Sequence, residues 1–359
     1  MPSRPPIEEL MAGRAPTYDR PEVDCHLHST ASDGAWTPGE VVAQARRRGL
    51  QVVAISDHDR VTGVPEALEA GEGLGVTVIP AVELDTVDPS TGLSAEILGY
   101  DLDSAPSGLE RMDTLCQSIA RQRVLRLERL LERVRRAYHE GELEGLNEAS
   151  PGLKWERQPR LPLTLEAVLE TKLGRLVGND EVPDLLEGVS LMLPDFCRFL
   201  LRGGFIAPAS ASEAEVKATF FAEGRPFHVD FPRLTSQEAI GAIHACGGRA
   251  VLAHPGQVQG LSKPWLAAPE SQNGVPLEDW VATLRSLGLD GIELYFYRQA
   301  LDPEARESGW ANANGFIASL ARRLDLFATF GSDCHGPGYP EPEPLLGRFG
   351  GSRRRIHRG

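Results

Sequence analysis

Short apolar runs alternate with amphipathic segments along much of the 359-residue chain, and this alternation limits the possible folds more than any other feature. The run LQVVAIS is followed by the helical pattern VPEALEAGEGLG and then by the apolar run VTVIPAVEL. Thr37, Pro38 and Glu40 form a capping-box signature that begins another helix. Strands that alternate with helices are typical of a parallel α/β sheet or barrel, and the chain has seven strand candidates.

The pattern changes between residues 105 and 235. Leu127, Leu131 and Val134 recur at helical spacing, which predicts one long helix from Arg111 to Tyr138. The residues that follow mix Gly, Pro and acidic side chains with short helical pieces and lack strand alternation. We therefore predict a mainly helical insertion in an α/β barrel.

The domain limits follow from these patterns. Residues 21–104 and 236–345 should form the barrel, on either side of the insertion at 105–235. The proline-rich residues 1–20 predict a mobile N-terminal arm, because they carry no periodic apolar pattern. The Gly/Arg-rich residues 346–359 predict a basic, solvated tail.

The charge of the chain limits its partners. The 37 Lys and Arg residues against 51 Asp and Glu residues give a formal net charge of −14, which disfavours long duplex nucleic acid and anionic membranes. No apolar run has the length of a membrane span, and the first residues lack a secretory signal. Five widely spaced cysteines indicate neither a disulfide framework nor a C-x-x-C zinc site. We expect a cytoplasmic protein whose oligomeric state stays open.

Residues that bind metal ions or transfer protons follow the predicted strands, where each strand ends. His26 and His28 are two residues apart on an extended strand, so their side chains point to the same face. Further candidates at strand ends are Asp57, His58, Asp59, Glu83, His254, Asp333 and His335. The C-terminal ends of parallel strands share one face of a β/α barrel, so these side chains should converge. Imidazole and carboxylate ligands without thiolate suit Zn²⁺, Mn²⁺ or Fe²⁺, and their number predicts two or three divalent ions.

The segments that carry these residues resemble the polymerase and histidinol phosphatase (PHP) family of metallo-phosphoesterases, and within it the stand-alone branch acting on nucleotides. The matching segments include DCHLHSTASDGAWTPGE, VVAISDHDRVTG, VIPAVEL, EILGYDLD, AVLAHPG and FGSDCHG, over nearly all of 23–104 and 236–337. The resemblance implies a distorted seven-stranded β/α barrel. The ligand sets that it implies are His26, His28, Glu83 and Asp333 for one ion, Asp33, His58 and His335 for another, and His254 with Glu83 for a further ion.

The chain departs from the family pattern at two positions. Glu96 stands where the family has a histidine ligand, and Asp195 stands in the insertion where the family has another histidine. A carboxylate at position 96 is still able to ligate, and its hard oxygen favours Mn²⁺ or Mg²⁺ over Zn²⁺. We therefore predict Glu96 as a ligand, against the alternative that it points away and one ion is absent.

Other residues are assigned supporting roles. Asp57 and Asp59 are predicted to orient His58 through hydrogen bonds, with capping of the following turn as the alternative for Asp59. Arg121 and Arg123, in the arginine-rich helix of the insertion, are predicted to hold substrate phosphate, because the resembling family uses basic residues there.

The resemblance implies hydrolysis of phosphomonoesters by a metal-activated hydroxide. Asp333 or His335 is predicted to handle the proton of the leaving oxygen. The expected substrate is a nucleotide, such as a nucleoside 3′,5′-bisphosphate or the 5′ end of a short RNA. The alternatives are a histidinol-phosphate-type phosphatase and a non-catalytic barrel that binds metal or nucleotide.

Overall fold

The computed structural model describes residues 5–18, 20–103, 106–150, 152–265, 273–295, 310–337 and 344–353. The chain divides into two compact units. The first unit combines Met1–Cys116 with Arg233–Gly359, and the second is Gln117–Pro232.

The strands of the described residues have between 2 and 11 residues, and most of them lie in the first unit. They are β1 Arg14–Thr17, β2 Val23–Leu27, β3 Val52–Ile55, β4 Thr77–Val87, β5 Ser94–Tyr100, β6 Lys154–Trp155, β7 Ile206–Ala207, β8 Leu234–Thr235, β9 Arg249–Leu252, β10 Gly291–Tyr295, β11 Phe327–Gly331 and β12 Gly350–Arg353. Every residue of β2, β3 and β10 is buried, as expected for strands covered on both faces.

Helices alternate with strands in much of the first unit and predominate in the second unit. They are α1 Ile7–Met11, α2 Pro38–Arg47, α3 Val64–Leu74, α4 Pro106–Glu140, α5 Leu143–Ala149, α6 Leu165–Leu173, α7 Val182–Gly188, α8 Leu193–Arg202, α9 Glu213–Val216, α10 Ser236–Ala245, α11 Leu277–Ser286 and α12 Trp310–Arg323. The predicted capping box begins α2, where Glu40 N donates to Thr37 Oγ1 over 3.2 Å and Thr37 N donates to Glu40 Oε2 over 2.9 Å.

Seven strands of the first unit form a barrel in the order β2, β3, β4, β5, β9, β10 and β11. A parallel bridge between Leu27 and Cys334 joins its two ends. The strands β2 to β4 pair in parallel, as do β9 to β11, whereas β5 is antiparallel to both β4 and β9. The turn between β4 and β5 is too short for the crossover that parallel pairing requires, so β5 runs backwards and distorts the barrel. The predicted α/β barrel is confirmed.

The second unit is mainly helical and has its own hydrophobic core. Trp155, Phe196, Phe205 and Phe220 are among the buried side chains of that core. Among the described residues of this unit, β6 and β7 form a short antiparallel sheet. The structure therefore has the helical insertion, with unit boundaries after Cys116 and Pro232 rather than at 105 and 235.

The ends of the first unit differ from the sequence prediction. The residues predicted to be a mobile arm contain α1 and β1, because Ile7 and Met11 bury their apolar side chains. The residues predicted to be a solvated tail contain β12, which lies antiparallel between β1 and β2. A Cβ atom at Gly350 would lie 1.9 Å from the carbonyl oxygen of Val23, so glycine permits this close pairing.

Helices able to span a membrane were sought among the described residues. None of them is both long and apolar enough.

Candidate metal centre

The ends of the barrel strands in the first unit carry the predicted ligands. His26 lies on β2 and His28 directly after it, while His58 follows β3 and Glu83 lies on β4. The remaining ligands are His254 after β9, Asp333 and His335 after β11, Glu96 on β5 and Asp33 after β2. The structure brings all of them into one cluster.

Glu83 is the centre of this cluster and is fully buried. Its Oε1 lies 3.1 Å from His26 Nε2 and 3.4 Å from His254 Nε2. Its Oε2 lies 3.3 Å from His28 Nε2 and 3.2 Å from His58 Nδ1. Burial raises the pKa of Glu83, but the charges of His26 and His58 outweigh this effect, and the pKa lies well below its usual value. The carboxylate of Glu83 thus lies within 3.4 Å of a nitrogen of each of four histidines.

Asp333 approaches the same histidines from β11. Its Oδ1 lies 3.0 Å from His28 Nε2 and 3.5 Å from His26 Nε2, and its Oδ2 accepts a hydrogen bond of 3.2 Å from the Tyr295 hydroxyl. Burial raises the pKa of Asp333, but the charges of His26 and His335 lower it well below its usual value. Asp333 is therefore an ionised ligand candidate.

Asp33 and His335 form the outer part of the cluster. Asp33 Oδ1 lies 3.3 Å from His335 Nε2 and 3.7 Å from His28 Nδ1. The rings of His28 and His335 stack with centroids 4.1 Å apart. His335 Nδ1 lies 3.0 Å from the carbonyl oxygen of Asp333, which leaves Nε2 facing Asp33.

Glu96 reaches the cluster from β5. Its Oε2 lies 3.0 Å from His254 Nε2, and the side chain is 31% exposed. Four groups of residues have ligand atoms within 4.8 Å of one another. They are His28, Asp33, His58 and His335; His26, His28 and Asp333; His26, Glu83 and His254; and His58, Asp85 and Glu96.

The donor atoms of this cluster fit divalent cations. Several of them are fully buried and meet no hydrogen-bond partner of suitable geometry in the described part of the chain. These atoms are His26 Nε2, both ring nitrogens of His28, His58 Nδ1, both carboxylate oxygens of Glu83 and His254 Nδ1. Buried polar atoms without partners are costly, and a bound cation satisfies them without any change of fold. The chemistry of the set, imidazole with carboxylate, is that of Zn²⁺, Mn²⁺ or Fe²⁺ ligands.

Glu293 is a buried member of the site that sequence reasoning missed. Its Oε1 lies 2.9 Å from His26 Nδ1, and its Oε2 accepts a hydrogen bond of 2.7 Å from His254 N. The carboxylate fixes the ring of His26 with Nε2 toward Glu83, as carboxylates commonly do behind ligating histidines. The available signal was a charged residue in the otherwise apolar strand GIELY.

Asp24 supports the other side of the site. Its carboxylate accepts hydrogen bonds from Ser332 N over 3.0 Å and from Ser332 Oγ over 2.6 Å, which ties β2 to the loop that carries Asp333. Burial raises the pKa of Asp24 to about 7, against the opposing effect of these hydrogen bonds. Sequence reasoning missed this residue as well.

Asp57 differs from its predicted role. Its carboxylate accepts hydrogen bonds from Ser29 N over 2.7 Å, Ser29 Oγ over 2.6 Å and Ser32 Oγ over 2.6 Å. Asp57 thus fixes the turn after β2, which carries Asp33, whereas the prediction had it orient His58. Asp59 accepts a hydrogen bond from Asp85 N over 3.3 Å and donates its own N–H to the carbonyl oxygen of Glu83 over 2.8 Å.

Asp195, which stands in place of a family histidine, is engaged within the second unit. Its carboxylate lies 3.0 Å from Lys172 Nζ and 3.1 Å from an Arg198 nitrogen, and it accepts a hydrogen bond of 2.9 Å from Met192 N. These contacts begin α8 and neutralise the buried charge.

The two arginines predicted to hold phosphate lie on α4 in the second unit and face different surroundings. Arg123 is 6% exposed and lines a cavity of about 20 Å³, which is room for about one water molecule. Arg121 is exposed and lines a groove of about 360 Å³ beside Leu186. Residues two apart on a helix point to nearly opposite sides, so the two cannot hold one phosphate together.

Several known proteins are similar to this chain along most of its length. The PHP domain model matches residues 24–161. A 5′-3′ exoribonuclease Rnm from Salmonella typhimurium is 29% identical over 88% of this chain and 85% of its own length. A phosphoribosyl 1,2-cyclic phosphate 1,2-diphosphodiesterase from Eggerthella lenta is 28% identical over 87% of this chain and 94% of its own. A 3′,5′-nucleoside bisphosphate phosphatase from Chromobacterium violaceum is 27% identical over 88% of both chains.

Two solved structures share the fold. One is a candidate metal-dependent phosphoesterase from Bifidobacterium adolescentis, with a TM-score of 0.60 and 24% identity over 89% of each chain. The other is an amidohydrolase from Chromobacterium violaceum, with a TM-score of 0.57 and 24% identity over 90% of each chain. The PHP domain match includes the first ligand-bearing strands, and these relatives align along most of this chain, so the chain is similar to PHP-domain phosphoesterases over most of its length.

Proposed function

We propose that this protein hydrolyses phosphomonoesters of nucleotides, with a nucleoside 3′,5′-bisphosphate or the 5′ end of a short RNA as substrate. The observation that carries the proposal is the buried Glu83 with four histidines around it, because several nitrogen and oxygen atoms of this group meet no hydrogen-bond partner of suitable geometry among the described residues. The relatives support the substrate class, because their names describe a ribonuclease, a cyclic phosphate diesterase and a bisphosphate phosphatase.

The residues proposed to hold two or three divalent ions are His26, His28, Asp33, His58, Glu83, Glu96, His254, Asp333 and His335. When bound, such ions neutralise charge on phosphoryl oxygens and make water more acidic. The protein itself fixes these ligands: Glu293 orients His26, and Asp57 holds the turn that carries Asp33. Both the number of ions, two or three, and their identity as Mn²⁺, Zn²⁺ or Fe²⁺ are part of what we propose.

The two residues predicted to handle the leaving-group proton differ in their charge state. Asp333 has a pKa well below its usual value, so at neutral pH it carries no proton to donate. Burial lowers the pKa of His335, but the charges of Asp33 and Asp333 outweigh this effect and raise it. In the ion-free protein His335 is thus the member of the pair able to carry a proton at Nε2, and we assign Asp333 to ligation. A cation held at that same nitrogen competes with the proton.

A panel of phosphate esters tests the substrate class. Purified full-length protein supplied with Mn²⁺, Zn²⁺ or Mg²⁺ should release phosphate from nucleoside 3′,5′-bisphosphates and from 5′-phosphorylated short RNA, and EDTA should abolish this activity. Turnover of histidinol phosphate with untouched nucleotides would favour the histidinol-phosphate-type alternative. Metal binding without hydrolysis of any ester would favour a non-catalytic barrel.

The effect of metal on stability should increase with pH. Burial lowers the pKa of His58, but the charges of Glu83, Asp33 and Asp85 raise it from 6.5 to about 10 in the ion-free protein. The stability from this protonated histidine is complete below the unfolded-state pKa of 6.5 and is lost as pH rises toward 10. A cation must displace the proton, which becomes easier over the same range. We expect the increase in Tm on adding Mn²⁺ to be larger at about pH 8.5 than at about pH 6.

Thermal melts of the metal-stripped and Mn²⁺-loaded protein at both pH values measure this difference. The same melts in Mg²⁺ and in EDTA serve as controls. An equal or smaller increase in Tm at the higher pH would contradict the prediction.

Arg121 is the exposed member of the predicted phosphate-binding pair, and it stays a proposed substrate contact. Arg121→Ala should raise KM for a nucleoside bisphosphate about tenfold, because a hydrogen bond to a charged group contributes roughly 1.5–3 kcal/mol. Metal content should stay unchanged. Arg129→Ala, on the same helix and also exposed, is the matched control. Equal KM values for both variants would remove Arg121 from the substrate site.

A further inference from the structure

Two carboxylates lie directly opposite each other on the inner face of the barrel. In the antiparallel pair of β4 and β5, Asp85 is the register partner of Glu96. Asp85 is two residues from Glu83 on the same strand, so it points to the same face as this central ligand. Like charges at directly opposed positions destabilise a sheet unless something positive lies between them.

His58 supplies the third side of this arrangement. Its Nδ1 lies 3.6 Å from Asp85 Oδ1 and 3.2 Å from Glu83 Oε2. The side chain is nine-tenths buried, and Nδ1 meets no hydrogen-bond partner of suitable geometry among the described residues. One ligand atom from each of His58, Asp85 and Glu96 lies within 4.8 Å of the others. The buried Nδ1 of His58 thus lies near Asp85 as well as Glu83, within reach of the Asp85–Glu96 pair.

The chemistry of these three residues differs from that of the other groups. The other three groups each contain at least two histidines, whereas this one offers two carboxylates and one imidazole. Hard oxygen donors favour Mn²⁺ and Mg²⁺, and imidazole favours Mn²⁺ over Mg²⁺. Asp85 is not among the ligands predicted from the sequence. It stands at the end of the run AVELD, two residues after Glu83.

We propose that Asp85, Glu96 and His58 form a Mn²⁺ position at the mouth of the barrel that shares His58 with the histidine-rich positions around Glu83. The inference rests on the proposed function, because it assumes that the cluster binds divalent ions. It assigns Asp85 as a ligand particular to this carboxylate-rich position. It also gives Glu96 a carboxylate partner in addition to its contact with His254.

Manganese stoichiometry tests the proposal without reference to catalysis. The full-length protein is stripped with a chelator and titrated with Mn²⁺, and free Mn²⁺ is counted by electron paramagnetic resonance. We expect Asp85→Asn and Glu96→Gln each to lower the stoichiometry by one ion per chain, or to weaken that ion at least about 100-fold. Asp325→Asn is the matched control, because Asp325 is fully exposed on the surface.

A second titration with Zn²⁺ separates this position from the others. The histidine-rich positions should keep their Zn²⁺ in Asp85→Asn, which also shows that the variant is folded. Wild-type Mn²⁺ stoichiometry and affinity in both folded variants would overturn the inference while leaving the proposed hydrolysis intact. A wild-type protein that binds no divalent ion would overturn both. If Asp85→Asn fails to fold, the comparison of Glu96→Gln with wild type decides.

Discussion

Replacement of both His26 and His28 by alanine should remove most of the bound metal and lower phosphoesterase activity by at least about 1,000-fold, since each 1.4 kcal/mol of lost transition-state stabilisation is tenfold in rate. The two rings lie side by side, with centroids 5.1 Å apart, and their nitrogens approach both Glu83 and Asp333. Their loss removes two of the four imidazoles around Glu83 and the two imidazole nitrogens nearest to Asp333 Oδ1. Metal analysis of the purified variant and the rate with a nucleoside bisphosphate measure the effect.

The control for this pair is His139→Ala, which removes an exposed histidine at the end of α4. That variant should keep wild-type metal content and rate. Circular dichroism establishes whether the double variant is folded. Unchanged metal content in the folded double variant would show that these histidines are not ligands.

A single methyl group added at Gly331 should disturb the candidate metal centre through Glu293 and His26. The new Cβ atom of Gly331→Ala would lie 2.0 Å from Glu293 Oε1 and 2.3 Å from His26 Cβ, and both of those side chains are fully buried. To relieve this overlap, either the Glu293 carboxylate moves away from the ring of His26, or β11 separates from its neighbouring strand. We expect a loss of about 1–3 kcal/mol in the free energy of unfolding. Metal affinity should fall roughly 10- to 100-fold, as for loss of an orienting carboxylate.

Chemical denaturation and metal titration measure the two effects. Gly315→Ala is the control, because nothing lies within 4 Å of the Cβ that it would add on α12. There the change should be neutral or stabilising, since alanine is a better helix former than glycine. Equal stability and metal affinity of the two variants would mean that Glu293 does not position His26.

The strand-end positions of the candidate ligands were predictable because they follow from local periodicity. An apolar run that ends in His26 and His28 indicates both a strand and a side-chain direction, and the barrel brings such ends together without further information. The resemblance then supplies the grouping of the ligands. The antiparallel pairing of β5 was left open, although the short turn between β4 and β5 already excludes a parallel crossover between them.

The supporting carboxylates were not predictable in the same way. Glu293 is 267 residues from His26, and Asp24 is 308 residues from Ser332, so no local pattern relates the partners. The ends of the chain show the same limit, because proline and glycine are typical of loops but also fit edge strands. Only the pairing of β12 with β1 and β2, at the other end of the chain, reveals that it is a strand.

The candidate metal centre draws its residues from both segments of the first unit, on either side of the second unit in the sequence. During translation Glu83 and the first three histidines emerge from the ribosome long before His254, Asp333 and His335. No nascent chain shorter than these last residues offers a complete set of donors. If these residues hold ions as proposed, metal capture comes at the end of synthesis and joins β2 to the loop after β11. A newly made chain in a metal-starved cell would lack this late cross-link and be the form most exposed to proteolysis.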